Sequence, residues 1–138
     1  MVFFSEEWVD QYRGEIPYSK YDAQFEISDE NGLRIHLISD SYQILLDFGF
    51  VYGINILDEG VQLNYLPNCN MNADIMPHTG LLSTLYMVRN GRYLQYIKYC
   101  LGQELFDSLN LQQFNVVTQN YNVMIVCQEK PNITIENM

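Results

Sequence analysis

Residues 23 to 37 carry the feature that most constrains what this chain can fold into. Ala23, Phe25 and Ile27 alternate with Gln24, Glu26 and Ser28; after Asp29-Glu30-Asn31-Gly32, Leu33, Ile35 and Leu37 alternate with Arg34 and His36. Successive side chains of an extended chain point to opposite faces, so a period of two places the apolar members of each run on one face. An Asn-Gly step between such runs is a strong hairpin signal, because glycine readily enters the positive-φ backbone of a tight turn. An antiparallel pair with one buried and one solvated face follows. Asp40-Ser41 marks a second turn. Tyr42 to Phe48 and Val51 to Leu57, separated near Gly49 and closed by Asp58-Glu59-Gly60, extend the pair to a meander of about four strands.

The flanking segments use other signals. Ser5 to Tyr12 reads as a first helix, with Ser5 as N-cap, Glu6 and Glu7 in the first turn and Gly14 as the stop. Residues 67 to 80 have no period and read as a long loop, and Leu81 to Val88 as a strand. Asn90 is an N-cap candidate for a helix in which Tyr93, Ile97, Cys100 and Leu101 recur at helical spacing before Gly102. A polar connection leads to a closing pair, Phe114 to Thr118 and Val123 to Cys127, around Gln119-Asn120-Tyr121-Asn122, with Pro131 ending the last strand. The expectation is one α+β domain over residues 1–138. It comprises an antiparallel sheet of about six to seven strands, one main helix packed on it and a short N-terminal helix. A chain of 138 residues can bury roughly two-thirds of its unfolded surface, so neither a disulfide nor a metal is required to hold it.

Composition narrows function by exclusion. Seven Lys and Arg against 17 Asp and Glu give a formal net charge of −10, which opposes both phosphate backbones and anionic membrane surfaces. An apolar fraction of 48% is too high for a disordered chain. The first residues lack a basic region, and no apolar run approaches the about 18 residues of a spanning helix, so a cytoplasmic location is expected. Three cysteines, Cys69, Cys100 and Cys127, fit a reducing compartment, and two of them sit among apolar neighbours that suggest buried thiols. Asn132-Ile133-Thr134 matches a glycosylation triplet but has no secretory context.

Catalytic constellations are sparse. Only His36 and His78 could serve as bases near neutral pH; His36 falls on the polar side of a strand, and His78 lies in the irregular stretch near Cys69 and Asp74 with no ligand spacing. Phosphate-binding glycine loops and a nucleophile elbow are absent from the sequence. No catalytic residue, metal site or cofactor is assigned.

Charge position is more informative than charge total. Residues 1 to 60 hold twelve carboxylates against three basic side chains, so nine of the ten excess negative charges fall there. A one-signed field on part of a small domain steers a basic partner, if the charges share a face. Glu26, Asp29, Glu30, Asp40, Asp58 and Glu59 are the candidate contacts. Tyr96 joins them because Tyr93, Tyr96 and Tyr99 cannot all face inward from one helix, and exposed tyrosine suits a binding surface.

Four stretches resemble a known group in their order along the chain. Phe48 to Gly60 ends in Asp58-Glu59-Gly60 and is followed by Leu63; Asn90-Gly91-Arg92-Tyr93 opens a helix reaching Gly102; Gln113 to Thr118 and Glu129-Lys130-Pro131 close the series. Over roughly residues 48 to 131 this is similar to small bacterial proteins of unknown or immunity-like role. The resemblance implies an α+β domain without a known catalytic residue. Immunity proteins neutralise toxins, and are commonly small, acidic and cytosolic where the target is a basic nuclease. The leading expectation is a non-enzymatic protein-binding domain, an immunity-like inhibitor occluding a basic partner protein such as a bacterial toxin. The alternative is a small enzyme or ligand-binding domain with an aromatic-lined pocket near His78.

Overall fold

The computed structural model describes residues 6–12, 14–58, 70–71 and 83–137. Among them run β1 (Glu7–Val9), β2 (Asp22–Ser28), β3 (Gly32–Ile38), β4 (Tyr42–Gly49), β5 (Gly53–Asp58), β6 (Asn70–Met71) and β7 (Leu85–Arg89). Helices α1 (Arg92–Leu101) and α2 (Gln103–Leu109) follow, then β8 (Gln112–Val117), β9 (Tyr121–Cys127) and β10 (Asn132–Asn137). The strands form two sheets rather than one. The larger has the order β5-β9-β8-β7-β1-β6 and the smaller β10-β4-β3-β2, antiparallel throughout except for the short β1–β6 bridge.

The hairpin alternation carries over into the smaller sheet except at Ile27, which the fold leaves exposed at the end of β2. Leu33, Ile35 and Leu37 of β3 and Ile44, Leu46 and Phe48 of β4 are buried against Leu85, Phe114, Val116, Val123, Ile125 and Cys127 of the larger sheet. Aromatic rings lock the two together: Phe48 and Phe114 lie 6.0 Å apart between centroids, and Phe25 meets Tyr121 edge-on at 5.5 Å. The β8–β9 turn stitches one edge, where the Asn120 amide oxygen accepts from the Ala23 backbone N–H at 2.9 Å and its nitrogen donates to the Ala23 carbonyl. On its other side the larger sheet is covered by α1 and α2, through Ile97, Tyr93, Leu94, Leu101 and Phe106 packed on Val126. The order is small sheet, large sheet, helices.

This architecture corrects the expected one. The protein is mostly antiparallel β structure in two sheets with two short helices, not a single sheet of six to seven strands under one main helix. Four local readings account for the difference. The segment read as an N-terminal helix contains β1: Glu6 and Trp8 are buried while Glu7 is exposed, and pairing of Trp8 with Val88 on β7 overrides a helix-start signal worth only tenths of a kcal/mol per residue. The four-strand meander is three strands long, because the chain bends at Phe50–Tyr52 and delivers β5 to β9 in the other sheet. Pro131 does not end the fold; β10 follows and pairs with β4. The polar stretch after Gly102 is α2. Residues 67–69 and 72–80 of the expected loop lie outside the described residues, as do Ser5, Glu59, Cys69 and His78.

Cys127 answers the expectation of a buried thiol and Cys100, which is exposed, does not. Burial first, partly opposed by a backbone hydrogen bond from Glu129, pushes the Cys127 thiol up to about 12, and the protonated thiol donates to the Glu129 carbonyl. Burial likewise raises the Tyr21 phenol from 10.0 to about 12. Both groups stay protonated in the fold but ionise earlier once it opens. Their contribution to stability is complete below pH 9.0 and is lost as pH climbs through about 12, so urea midpoints should fall across that window. Iodoacetamide mapping of the native protein should label Cys100 and spare Cys127 until denaturant is added; prompt labelling of Cys127 would contradict its burial.

Candidate functional site

The outer face of the smaller sheet is built from the polar members of the alternation. Glu26 on β2 faces Arg34 on β3, and Arg34 faces Asp47 on β4, with Arg34 Nε 3.6 Å from the Asp47 carboxylate. In the next row His36 lies between Gln24 and Leu45, and its Nε2 is 3.3 Å from Glu26. His36 lies half-exposed on the polar face, where its sequence context placed it. Between β2 and β10 these rows shape a shallow depression of about 450 Å³, with Gln24, His36, Gln43 and Glu136 on its walls. Residues 22–49 contribute six carboxylates, Asp22, Glu26, Asp29, Glu30, Asp40 and Asp47, against the single Arg34.

The predicted contacts do not all meet there. Glu26 lies on this face. Asp29 and Glu30 sit exposed at the β2–β3 tip and Asp40 at the opposite, β3–β4, tip. Asp58 ends β5 in the other sheet, opposite Tyr121. Tyr96 stands on α1, in the layer farthest from the acidic face. The sequence therefore supplies one acidic face with its two tips, plus two positions that belong elsewhere.

A second site, which sequence reasoning did not assemble, lies between the larger sheet and α1. The helix begins at Gly91 without a side-chain cap of its own, and distant residues cap it instead. The buried Glu6 carboxylate accepts from the Arg92 backbone N–H at 2.7 Å and from Trp8 Nε1 at 2.9 Å. Gln113 Oε1 accepts from the Leu94 N–H at 2.9 Å, passing so close to Gly91 that a β-carbon there would stand 1.9 Å from it. Gln113 Nε2 then donates to Asn115 Oδ1 at 3.0 Å. Beside this array opens a cavity of about 520 Å³ lined by Asn55, Leu57, Arg92, Tyr93, Tyr96 and Met124. The Tyr93 and Tyr96 rings stack with centroids 6.3 Å apart and planes 12° from parallel. Burial, then Tyr96, holds the Tyr93 phenol above its ordinary range, so it remains a neutral donor.

Gln113, Asn115 and Asn122 are buried polar residues on this side of the larger sheet that sequence reasoning missed. Their signal was the unbroken apolar run Val123 to Cys127 of β9. Among the described residues no three His, Cys, Asp or Glu side chains gather to hold a metal, and no helix is long and apolar enough to cross a membrane.

Fold and sites together define an architectural class, a two-sheet β domain roofed on one side by a helix pair. Compared with protein-family models, with curated proteins and with solved structures, the chain gives no match.

Proposed function

We propose that this protein is a non-enzymatic binding domain that receives a basic protein partner on the outer face of its smaller sheet. The observation that carries this reading is the six carboxylates against one arginine over residues 22–49, set on three adjacent strands and their tips. A sheet face is rigid, so its charges are positioned before the partner arrives, and the summed field accelerates encounter with a basic surface. The depression bounded by His36 and Glu136 suits a lysine or arginine side chain. In its finer form the proposal is an immunity-like inhibitor that occludes the working surface of a basic toxin.

The test is affinity capture at low and at high salt, with the wild type, the triple variant Asp29→Lys/Glu30→Lys/Asp40→Lys and Tyr96→Ala. The expected partner is basic, is released at high salt, binds the triple variant at least about tenfold more weakly, and is retained by Tyr96→Ala because that residue lies on the opposite layer. A partner that is acidic, or that survives both high salt and charge reversal, overturns the proposal.

A further inference from the structure

The smaller sheet has two edges, and the fold treats them differently. Along β2, Asn120 takes both the N–H and the C=O of Ala23, and the Gln119 N–H bonds to the Tyr21 carbonyl, so that edge is closed where the strand begins. Among the described residues β10 is bonded to β4 alone, through six consecutive register pairs without a bulge. Its other side presents a row of backbone N–H and C=O groups that can template a further strand. Natural edges are commonly guarded by lysine, proline or a bulge; Asn132–Asn137 has none of these, and Pro131 stands just before it. Ile133 and Ile135 are paired with Leu46 and Ile44 and share their core-side face, yet Ile135 stays 40% exposed at the margin.

We propose that β10 is a dimerisation edge, to which a second copy of this chain adds its own β10 antiparallel about a two-fold axis at Thr134. Such an axis stands perpendicular to the sheet, so residues directly opposite one another share a face. With Thr134 opposite its own copy, each Ile133 meets an Ile135 on the core side and covers the apolar surface that the single chain leaves exposed. On the outer side each Glu136 meets an Asn132, an amide rather than a like charge. Moving the axis to Ile133 sets Pro131, which precedes the strand, against Ile135; moving it to Ile135 sets Thr134 against Glu136 and breaks the isoleucine match. The pairing joins two four-stranded sheets into one and places both acidic faces on the same side. It does not depend on those faces receiving a basic partner. Each copy carries a net charge of −10, of which β10 holds only Glu136, so the repulsion acts largely at a distance, where salt screens it. Added salt therefore tightens this contact, the reverse of its effect on a basic partner.

The experiment is sedimentation equilibrium of the full chain over about 5–500 μM. The mass should rise from 16.2 kDa toward twice that value, and should do so at lower protein concentration in about 0.5 M than in about 0.05 M salt. Ile135→Lys places an edge guard at a position already part-exposed; it should leave the circular dichroism spectrum unchanged and weaken the dimer at least about tenfold. Cross-linking tests the register, because directly opposed Cα atoms stand about 4.5–5.5 Å apart, within disulfide reach. In a Cys69→Ser/Cys100→Ser background, Thr134→Cys should form a disulfide dimer on mild oxidation, whereas Glu136→Cys, which faces Asn132, should not. Should Ile135→Lys fail to fold, the wild-type sedimentation and the cross-link decide. A mass of 16.2 kDa at every concentration overturns the inference. So does a dimer that added salt dissociates, one that a folded Ile135→Lys leaves intact, or one that cross-links through position 136 rather than 134.

Discussion

Gly32→Ala should lower the unfolding free energy by roughly 2–4 kcal/mol, read as a fall in the urea midpoint at unchanged slope. Two effects add at this position. The backbone of Gly32 has φ +70°, the left-handed region in which a side chain costs about 1–2 kcal/mol. A β-carbon there would also stand 2.0 Å from the Gly49 carbonyl oxygen and 2.7 Å from the Phe50 nitrogen. Those are backbone atoms, which cannot swing aside as a side-chain end can. They are held in place by the register shift between β3 and β4, where Leu33 faces Gly49 but Arg34 faces Asp47, and by the Asp47 carboxylate accepting from the Gly49 N–H. Gly49→Ala is the natural control. Its φ is +66°, but nothing lies within 4 Å of the added carbon, so only the conformational part should appear. If the two variants lose the same stability, the close approach of the hairpin to β4 is wrong.

Gly32 also illustrates how far the sequence could be read. The Asn31-Gly32 step correctly announced a hairpin, yet Gly32 already pairs with Ser28 as the first residue of β3, and the connection is Asp29–Asn31. The glycine is needed both for its positive φ and because a third strand approaches it. Local signals recovered β2, β3, β4, β5, β7, β8, β9 and most of α1 as elements, from period, apolar runs and turn chemistry, although β5 was assigned to the wrong sheet. What they did not recover depends on layers. Ser5-Glu6-Glu7 looks like a helix start until one knows that Glu6 is buried under a helix far along the chain. In β8, Gln113 and Asn115 alternate with Phe114 and Val116, which reads as a wet face; both are fully buried because a helix layer covers them. The uninterrupted apolar run Val123 to Cys127 carried the warning, for a strand buried on both faces need not alternate. Its neighbours' polar side chains then had to be buried as well. The acidic residues were legible one by one, but their division among the small-sheet face, its tips and β5 is a property of sheet order, which nothing local encodes.

Glu6→Ala should have the largest effect of any single side-chain truncation here, roughly 3–5 kcal/mol by urea unfolding. Its carboxylate is wholly buried, and each oxygen has a donor: the Trp8 indole N–H on one and the Arg92 backbone N–H on the other. α1 has no acidic residue in its first turn and no side-chain cap of its own, so this distant carboxylate both satisfies the helix's first N–H and sets negative charge against the positive end of its dipole. Truncation takes this acceptor from the buried Trp8 N–H and the partly buried Arg92 N–H, opens a void beside the Trp8–Tyr86 pair and removes the charge that favours the helix start. Glu6→Gln separates these contributions. The amide keeps the volume and one acceptor but turns an NH₂ group toward a donor, so a loss of about half that of alanine is expected. The chain's single tryptophan reports the site directly, because Trp8 is itself the bonded partner. In Glu6→Ala its fluorescence should change in the folded state, before any denaturant is added. Unchanged Trp8 emission together with wild-type stability would show that α1 is anchored by Gln113 and packing alone, and that the buried carboxylate is not what ties β1 to the helix.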